Sequence, residues 1–283
     1  MTKNTLIPYE ILKISGTNRT HVNDLVSVEE PLEISIEQTI NGVSTVQIVA
    51  ITMRTPGADE ELAIGFLYTE GIIQGNQDVE KVLASEANLS ESNMEHQGVT
   101  VVLKETVNVN LKQLERNFYT TSSCGVCGKA SIDAVKLACP IIIPQKKWKI
   151  SPETIMTFPS KLRNAQLNFE YSGGIHAAAL FDLSGECKYI KEDVGRHNAV
   201  DKLIGFALNE GLIPCFDYVL VLSGRASFEL VQKASMAGIR MICAIGAPSS
   251  LAIDLAEEYD ITLVGFLKEN RFNVYCAPER MGL

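Results

Sequence analysis

From Leu32 to Glu37 apolar and polar residues alternate without a break, Leu-Glu-Ile-Ser-Ile-Glu. Asn41-Gly42 interrupts the pattern, and a second apolar-rich stretch runs from Val43 to Met53. Two such runs joined by Asn-Gly predict a β-hairpin, because both central residues of its turn need positive φ. Thr55-Pro56-Gly57 ends it. From Asp59 to Glu70 the period changes: Leu62, Ala63, Phe66 and Leu67 share one helical face, and Gly71 supplies the stop. Val99, Val101 and Leu103 mark a later strand. This first region, residues 1–118, is expected to form a small α+β unit.

Residues 119–129, Tyr-Thr-Thr-Ser-Ser-Cys-Gly-Val-Cys-Gly-Lys, carry neither period. Small hydroxyl residues and glycines there predict a mobile loop, followed by a short helix from near Gly128 towards Cys139, where Pro140 stops it. Trp148 to Ser151 reads as a linker, with Ser151 as N-cap and Pro152 at the first position of the next helix. Residues 119–150 are therefore set apart as loop and linker, and 151–283 as a second domain.

In that second domain, Ile175–Asp182 and Cys187–Lys191 flank Ser184-Gly185, a hairpin pattern. Ala199, Val200, Leu203, Ile204, Ala207 and Leu208 form a helical face closed by Gly211. Three β-rich runs follow, Tyr218–Leu222, Met241–Ile245 and Ile261–Val264, starting about 22 residues apart with helical patterns between them. That spacing predicts βαβαβ with parallel strands, an α/β fold.

Composition narrows the function. With 46% hydrophobic and 21% charged residues the chain has the makeup of a folded globular protein. A net charge of −9 and a pI near 5.1 exclude broad electrostatic capture of nucleic acid, while leaving room for one small anion site. No apolar run approaches the ~18 residues of a membrane span, and the first ten residues lack a signal-peptide core, which points to a cytoplasmic protein without membrane contact. Of seven cysteines, Cys139, Cys187, Cys215, Cys243 and Cys276 stand singly among apolar neighbours, the pattern of reduced, buried thiols. Only Cys124 and Cys127 are close together.

Three loops follow the three β runs: Ser223-Gly224-Arg225, Gly246 to Ser250, and Gly265 to Arg271. Ligands of open parallel sheets settle outside the strands' carboxyl ends. Small residues, helix N-termini and the cations Arg225, Lys268 and Arg271 suit a phosphate-bearing ligand there, although Gly and Ser would also cap helices in any such fold. His176 sits in an apolar strand, where a buried, hydrogen-bonded histidine is the default. His197 lies in the polar turn Glu192-Asp193-Val194-Gly195-Arg196-His197-Asn198, which either binds a ligand or ties itself together. Cys124-Gly125-Val126-Cys127 admits three readings. A zinc half-site lacks a second ligand pair, and a thioredoxin-like pair lacks its preceding strand. The third is a nucleophilic or sulfur-carrying thiol on a flexible arm, its thiolate favoured by a helix N-terminus and Lys129. Zinc deaminase chemistry is excluded: His176-Ala177-Ala178 lacks His-x-Glu, and Ser123 rather than Pro precedes Cys124.

These blocks together resemble the formate dehydrogenase accessory sulfurtransferases, the FdhD family. The likeness runs through Thr55–Leu62, Ser122–Lys129, Ser172–His176, Glu192–Lys202, Leu222–Glu229 and Gly246–Ser250, in order, over nearly the whole chain beyond about residue 27. It implies a mixed sheet with helices on both faces, similar to the cytidine-deaminase fold, beside the smaller N-terminal domain. It also implies a sulfur carrier: a cysteine desulfurase loads a persulfide onto Cys124, with Cys127 as its partner. The sulfur passes to the molybdenum bis(molybdopterin guanine dinucleotide) cofactor that formate dehydrogenase requires. Phe266, Leu267, Lys268, Glu269, Asn270 and Arg271 match the guanine-dinucleotide site. With Ser223, Arg225, Ser249, His176 and His197 they are the expected cofactor-binding set, and GDP-like nucleotides are the expected mimics. Members form homodimers. Two other classes stay open on the residues alone, a cofactor-delivery chaperone with incidental cysteines and a nucleotide-regulated redox protein.

Overall fold

A computed structural model of the protein describes residues 5–88, 95–107, 109 and 148–282. The sequence pattern's first hairpin is present as β3 (Glu30–Ile40) and β4 (Val43–Arg54), turning at Asn41 and Gly42, both at positive φ. Two further strands, β5 (Val79–Asn88) and β6 (Glu95–Leu103), complete a four-stranded sheet in the order β4-β3-β6-β5, with β3 and β6 parallel. Ahead of it, β1 (Leu6–Ser15) and β2 (Asn18–Ser27) pair only with each other. The hydrophobic pattern does not predict this hairpin, because its apolar residues Leu12, Ile14, Val22 and Leu25 are all exposed.

Helix α1 (Asp59–Thr69) follows β4 as expected. Arg54, fully buried, fixes its start: Nε and Nη2 donate to the two carboxylate oxygens of Asp59 at 2.8 and 3.0 Å, and Nη2 also donates to Gln97. A fork of this kind sets both distance and angle.

The second half opens with three short helices, α2 (Pro152–Met156), α3 (Phe158–Ala165) and α4 (Leu167–Ser172). Ser151 caps α2 by accepting from the Thr154 N–H, with Pro152 in the first turn. Strands β7 (His176–Asp182), β8 (Cys187–Asp193), β9 (Tyr218–Leu222), β10 (Met241–Ala244), β11 (Thr262–Lys268) and β12 (Arg271–Cys276) form one sheet, in the order β12-β11-β10-β9-β7-β8. The middle three are parallel, as the spacing requires, and the other pairings are antiparallel, so the sheet is mixed. Helices α5 (Arg196–Asn209), α6 (Phe228–Met236) and α7 (Ser250–Glu258) lie between the strands in sequence.

Alternation along the strands divides the core. Ala177, Ala179, Phe181, Val219, Val221, Met241, Cys243 and Val264 face Ile155, Phe158 and Leu162 of α2 and α3. Ala178, Leu180, Leu220, Leu222, Ile242 and Leu263 point the other way, into a cluster shared with α1, α5, α6, α7 and the inner face of the four-stranded sheet. Helices therefore cover both faces. Each fully buried Leu, Ile or Val is worth roughly 1.5–3 kcal/mol, so this continuous cluster holds the two halves together. Where α1 crosses α5, Gly65 and Gly205 let the backbones touch: a Cβ on either would lie 1.9 Å from a carbonyl oxygen of the other helix. Beside the crossing, Lys233 pairs with Asp201 at 2.9 Å, both buried, and the Thr69 hydroxyl donates to Asp201. Among the described residues no helix is long and apolar enough to cross a membrane.

Candidate functional site

The carboxyl ends of β9, β10 and β11 lie side by side, and their loops are stitched together by backbone hydrogen bonds. Gly246 N–H donates to Gly224 C=O at 2.9 Å, Ala226 N–H to Ala247 C=O at 3.2 Å, Ser249 N–H to Ala226 C=O at 3.0 Å, and Phe266 N–H to Gly246 C=O at 3.0 Å. The small residues serve this stitching. A Cβ on Gly265 would stand 2.7 Å from the Pro248 ring, and one on Gly246 3.0 Å from Gly224 C=O. Four backbone N–H groups of these loops are thus taken up by neighbouring loops. Ser249 caps α7 through the Ala252 N–H, and the Ser223 hydroxyl accepts from the Ala177 N–H at 2.8 Å.

The third loop needs correction. Gly265 to Arg271 is not a loop throughout: β11 continues to Lys268, turns through Glu269-Asn270, and returns as β12 with Lys268 opposite Arg271. A register shift between Gly265 and Lys268 hides the strand from a period-two reading, and Phe266 sits there at φ 52°, unusual for a bulky residue. The bulge turns the Phe266 ring outward while Leu267, 1% exposed, packs into the core beneath α3. Of the predicted six, Phe266, Lys268, Glu269, Asn270 and Arg271 are exposed and Leu267 is not. Arg225, Lys268 and Arg271 are also exposed, and none has a carboxylate partner among the described residues.

Two cavities open at this edge. One, of about 510 Å³, is lined by Pro159, Leu162, Arg163, Gln166, Phe169, Gly173, Gly174, Ile175, His176, Ser223 and Ile245. The other, of about 500 Å³, is lined by Lys268, Glu269, Asn270 and Leu267 and shares Pro159 and Ile245 with the first. Each is large enough for part of a nucleotide-sized ligand. His176 and Ser223 therefore meet in one cavity and the β11–β12 turn forms the next, with α3 as their common wall. Arg163, Gln166 and Phe169 escape the sequence reading. They lie on two short helices with no long period and at the joint between them, and only the fold brings them opposite His176.

Burial pushes His176 below the usual imidazole range, and the positive charges of Arg196, His197 and Arg225 push it the same way against the opposing pull of Asp193. His176 is thus biased to the neutral ring, which can both donate and accept. His197 has a different position: Nε2 stands 2.8 Å from a Glu229 carboxylate oxygen and 3.3 Å from the Ser227 hydroxyl, bridging α5 to the start of α6. That contact holds Glu229 below its ordinary range.

The polar turn ahead of α5 largely ties itself down. Asp193 accepts from the N–H groups of Thr55 and Gly195 and from Asn198, and pairs with Lys202 at 2.7 Å. Lys202 donates to Thr55 C=O, and Asn198 donates to Met53 C=O. Burial raises the Asp193 carboxyl and Lys202 opposes it. Glu192 accepts from the N–H groups of Asn168 and Phe169 at the start of α4, which fixes one wall of the first cavity. Arg196, the first residue of α5, has a buried Nε without a hydrogen-bond partner among the described residues.

Cys215, Cys243 and Cys276 are buried and Cys187 is partly so, as expected of inert thiols, and burial lifts the Cys215 thiol to about 12. Cys124, Cys127, Cys139 and the helix expected after Gly128 lie outside the described residues.

Comparison with known proteins adds an independent finding. The model of the FdhD/NarQ family matches residues 27–282. The chain is 46% identical over 261 residues to the sulfur carrier protein FdhD of Streptomyces coelicolor, covering 92% of this chain and 90% of that protein. It is 44% identical over 268 residues to the protein of the same name from Picrophilus torridus, covering 95% and 96%. A crystal structure from Desulfotalea psychrophila, described as a candidate formate dehydrogenase accessory protein, superposes with a TM-score of 0.70 at 22% identity, over 98% of this chain and all of that one. That last likeness is one of fold.

Proposed function

The chain belongs to the FdhD/NarQ family, and from that premise we propose that it is a sulfur carrier acting on the molybdenum cofactor of formate dehydrogenase. The observation that carries this reading is the identity above 40% to sulfur carriers over more than nine-tenths of the chain. The donor is a cysteine desulfurase, and the receiving thiol is Cys124 in the Cys-Gly-Val-Cys segment. In loading, the Cys124 thiolate attacks the outer sulfur of the donor's persulfide and the donor's thiolate leaves, so no electrons are gained or lost. Cys127 is its partner in relaying sulfur or in stabilising the loaded arm. The cofactor, bis(molybdopterin guanine dinucleotide), is the substrate. It binds at the carboxyl edge of β9–β11, where Lys268, Arg271 and Arg225 neutralise its phosphates and His176 lines the adjoining cavity. The carrier works in the cytoplasm as a homodimer.

The test is mass spectrometry after incubation with a desulfurase and cysteine, with one added sulfur expected on the 119–129 peptide. Cys124→Ala should abolish loading and formate dehydrogenase activation and leave GDP binding intact. Arg271→Ala should weaken GDP binding and leave loading intact. Normal activation of formate dehydrogenase by Cys124→Ala would replace the sulfur relay with a cofactor-delivery chaperone.

A further inference from the structure

Strands β1 and β2 form an arm anchored at its root, where the Thr5 hydroxyl donates to Asn168 at 2.8 Å and the Ser27 and Ser172 hydroxyls meet at 2.6 Å. The match to the family model begins at residue 27, where β2 ends. From Pro8 to Val26 every residue except Ile11 is exposed. A two-stranded ribbon wet on both faces is only marginally stable in water, so this one gains from lying against a surface. Its register sets Leu12 opposite His21 and Ile14 opposite Arg19, so on one face an apolar row runs beside a basic one, with Glu10 3.4 Å from His21. The complementary pattern stands on the four-stranded sheet. Its outer strand β4 has neither a charge nor a proline from Val43 to Met53, the devices that normally guard an edge. Val46, Ile48, Ile51 and Met53 are exposed on it. On the neighbouring β3, Glu37 lies opposite Val46 and Glu33 opposite Ile51, so an apolar row runs beside an acidic one.

We propose that the β1–β2 arm of one copy lies across β4 of a second copy, with the exchange repeated about a two-fold axis. Leu12 and Ile14 cover Ile48 and Ile51, and Arg19 and His21 face Glu37 and Glu33. A ten-residue strand is about 34 Å long and a two-stranded ribbon about 10 Å wide, so one face of the arm offers about 340 Å². Two arms on two β4 faces bury about 1,400 Å² in all, the size of a standard stable interface. An exchanged contact of this kind is closed, so assembly stops at two copies. The inference rests on the homodimer named above and adds what holds it together, an arm that precedes the family-model match.

Sedimentation equilibrium of the full-length protein, with variants alone and mixed, tests this. The wild type should sediment at twice 31.0 kDa. The arm variant Leu12→Glu/Ile14→Glu should raise the dimer dissociation constant at least about thirtyfold, the effect of losing one hot spot, and the β4 variant Ile48→Glu/Ile51→Glu should do the same. Mixing the two should restore part of the association, because one copy keeps its arm and the other its β4 face. Arg19→Glu should weaken the dimer, and adding Glu37→Arg to the same chain should recover it. That rescue serves if the β4 variant does not fold. A dimer that survives in both glutamate variants overturns the arm exchange and leaves the homodimer standing on another surface. Variants that dissociate alone and fail to complement each other also overturn it, since arm and β4 would then belong to separate contacts. A wild type that stays monomeric at micromolar concentration overturns the homodimer reading and this inference with it.

Discussion

Replacing Gly205 by alanine places a methyl carbon 1.9 Å from the carbonyl oxygen of Glu61 and 2.9 Å from the Gly65 nitrogen. Both are helix backbone, which cannot rotate aside. Restoring a 3.0 Å approach requires α1 and α5 to part by about 1.1 Å at their crossing. The faces pulled apart include Leu62, Ala63 and Leu67 on α1 and Val200, Leu203 and Ile204 on α5, all buried. A gap of that size forfeits about half of each contact's 0.1–0.2 kcal/mol, so a few tens of atom pairs lose about 3 kcal/mol. The higher helix propensity of alanine returns roughly 0.5–1 kcal/mol. A net loss of about 2–3 kcal/mol should lower the melting temperature by about 5–10 °C in a chain of this size. Circular dichroism melts and urea titrations of Gly205→Ala, Gly65→Ala and the double variant would measure it. Both single changes open the same contact, so the double variant should lose less than the sum. Gly174→Ala is the control, since its nearest neighbour would be Ser172 C=O at 3.7 Å. A Gly205→Ala protein melting within 1 °C of wild type, with an unchanged urea slope, would show that the helices do not cross at backbone contact.

Lys202→Met should destabilise the protein by about 3–5 kcal/mol in urea titration, because Asp193 is left buried without its cation. The His176 ring should titrate below 6.5 by proton NMR. Its folded value is depressed, so between that value and 6.5 the unfolded chain binds more protons, and stability should fall as the pH drops below 6.5. That part of the pH slope should vanish in His176→Gln. With its pKa raised to about 12, Cys215 should resist iodoacetamide at pH 8 in the native protein, as should Cys243, and mass spectrometry should find both alkylated only after denaturation.

Local chemistry was enough to place several elements from the sequence alone. Asn41-Gly42 marks its hairpin because few residue pairs tolerate two positive φ angles in succession. Ser151-Pro152 marks the start of α2 through one hydroxyl and one missing N–H. The three runs from Tyr218 announce parallel strands because a crossover helix sets their separation. Period failed wherever a residue's surroundings came from distant sequence. The β1–β2 hairpin exposes its apolar side chains and so leaves no buried face to detect. The bulge at Phe266 shifts the alternation and made a strand look like a loop. Gly65 and Gly205, 140 positions apart, have a shared purpose only once α1 lies on α5. The polar turn around His197 did not reveal its Glu229 partner, which comes from α6. Gln166 carried no signal in the chain: a buried amide without a partner exists only after α3 and α4 have folded against the sheet. Residue types at the sheet edge, and the three parallel strands that lead to it, are legible in the chain because turns, caps and periods act over a few residues. Which of those residues meet a cavity, and which satisfy one another, was decided by tertiary structure, because burial and hydrogen-bond partnership depend on segments more than a hundred residues away.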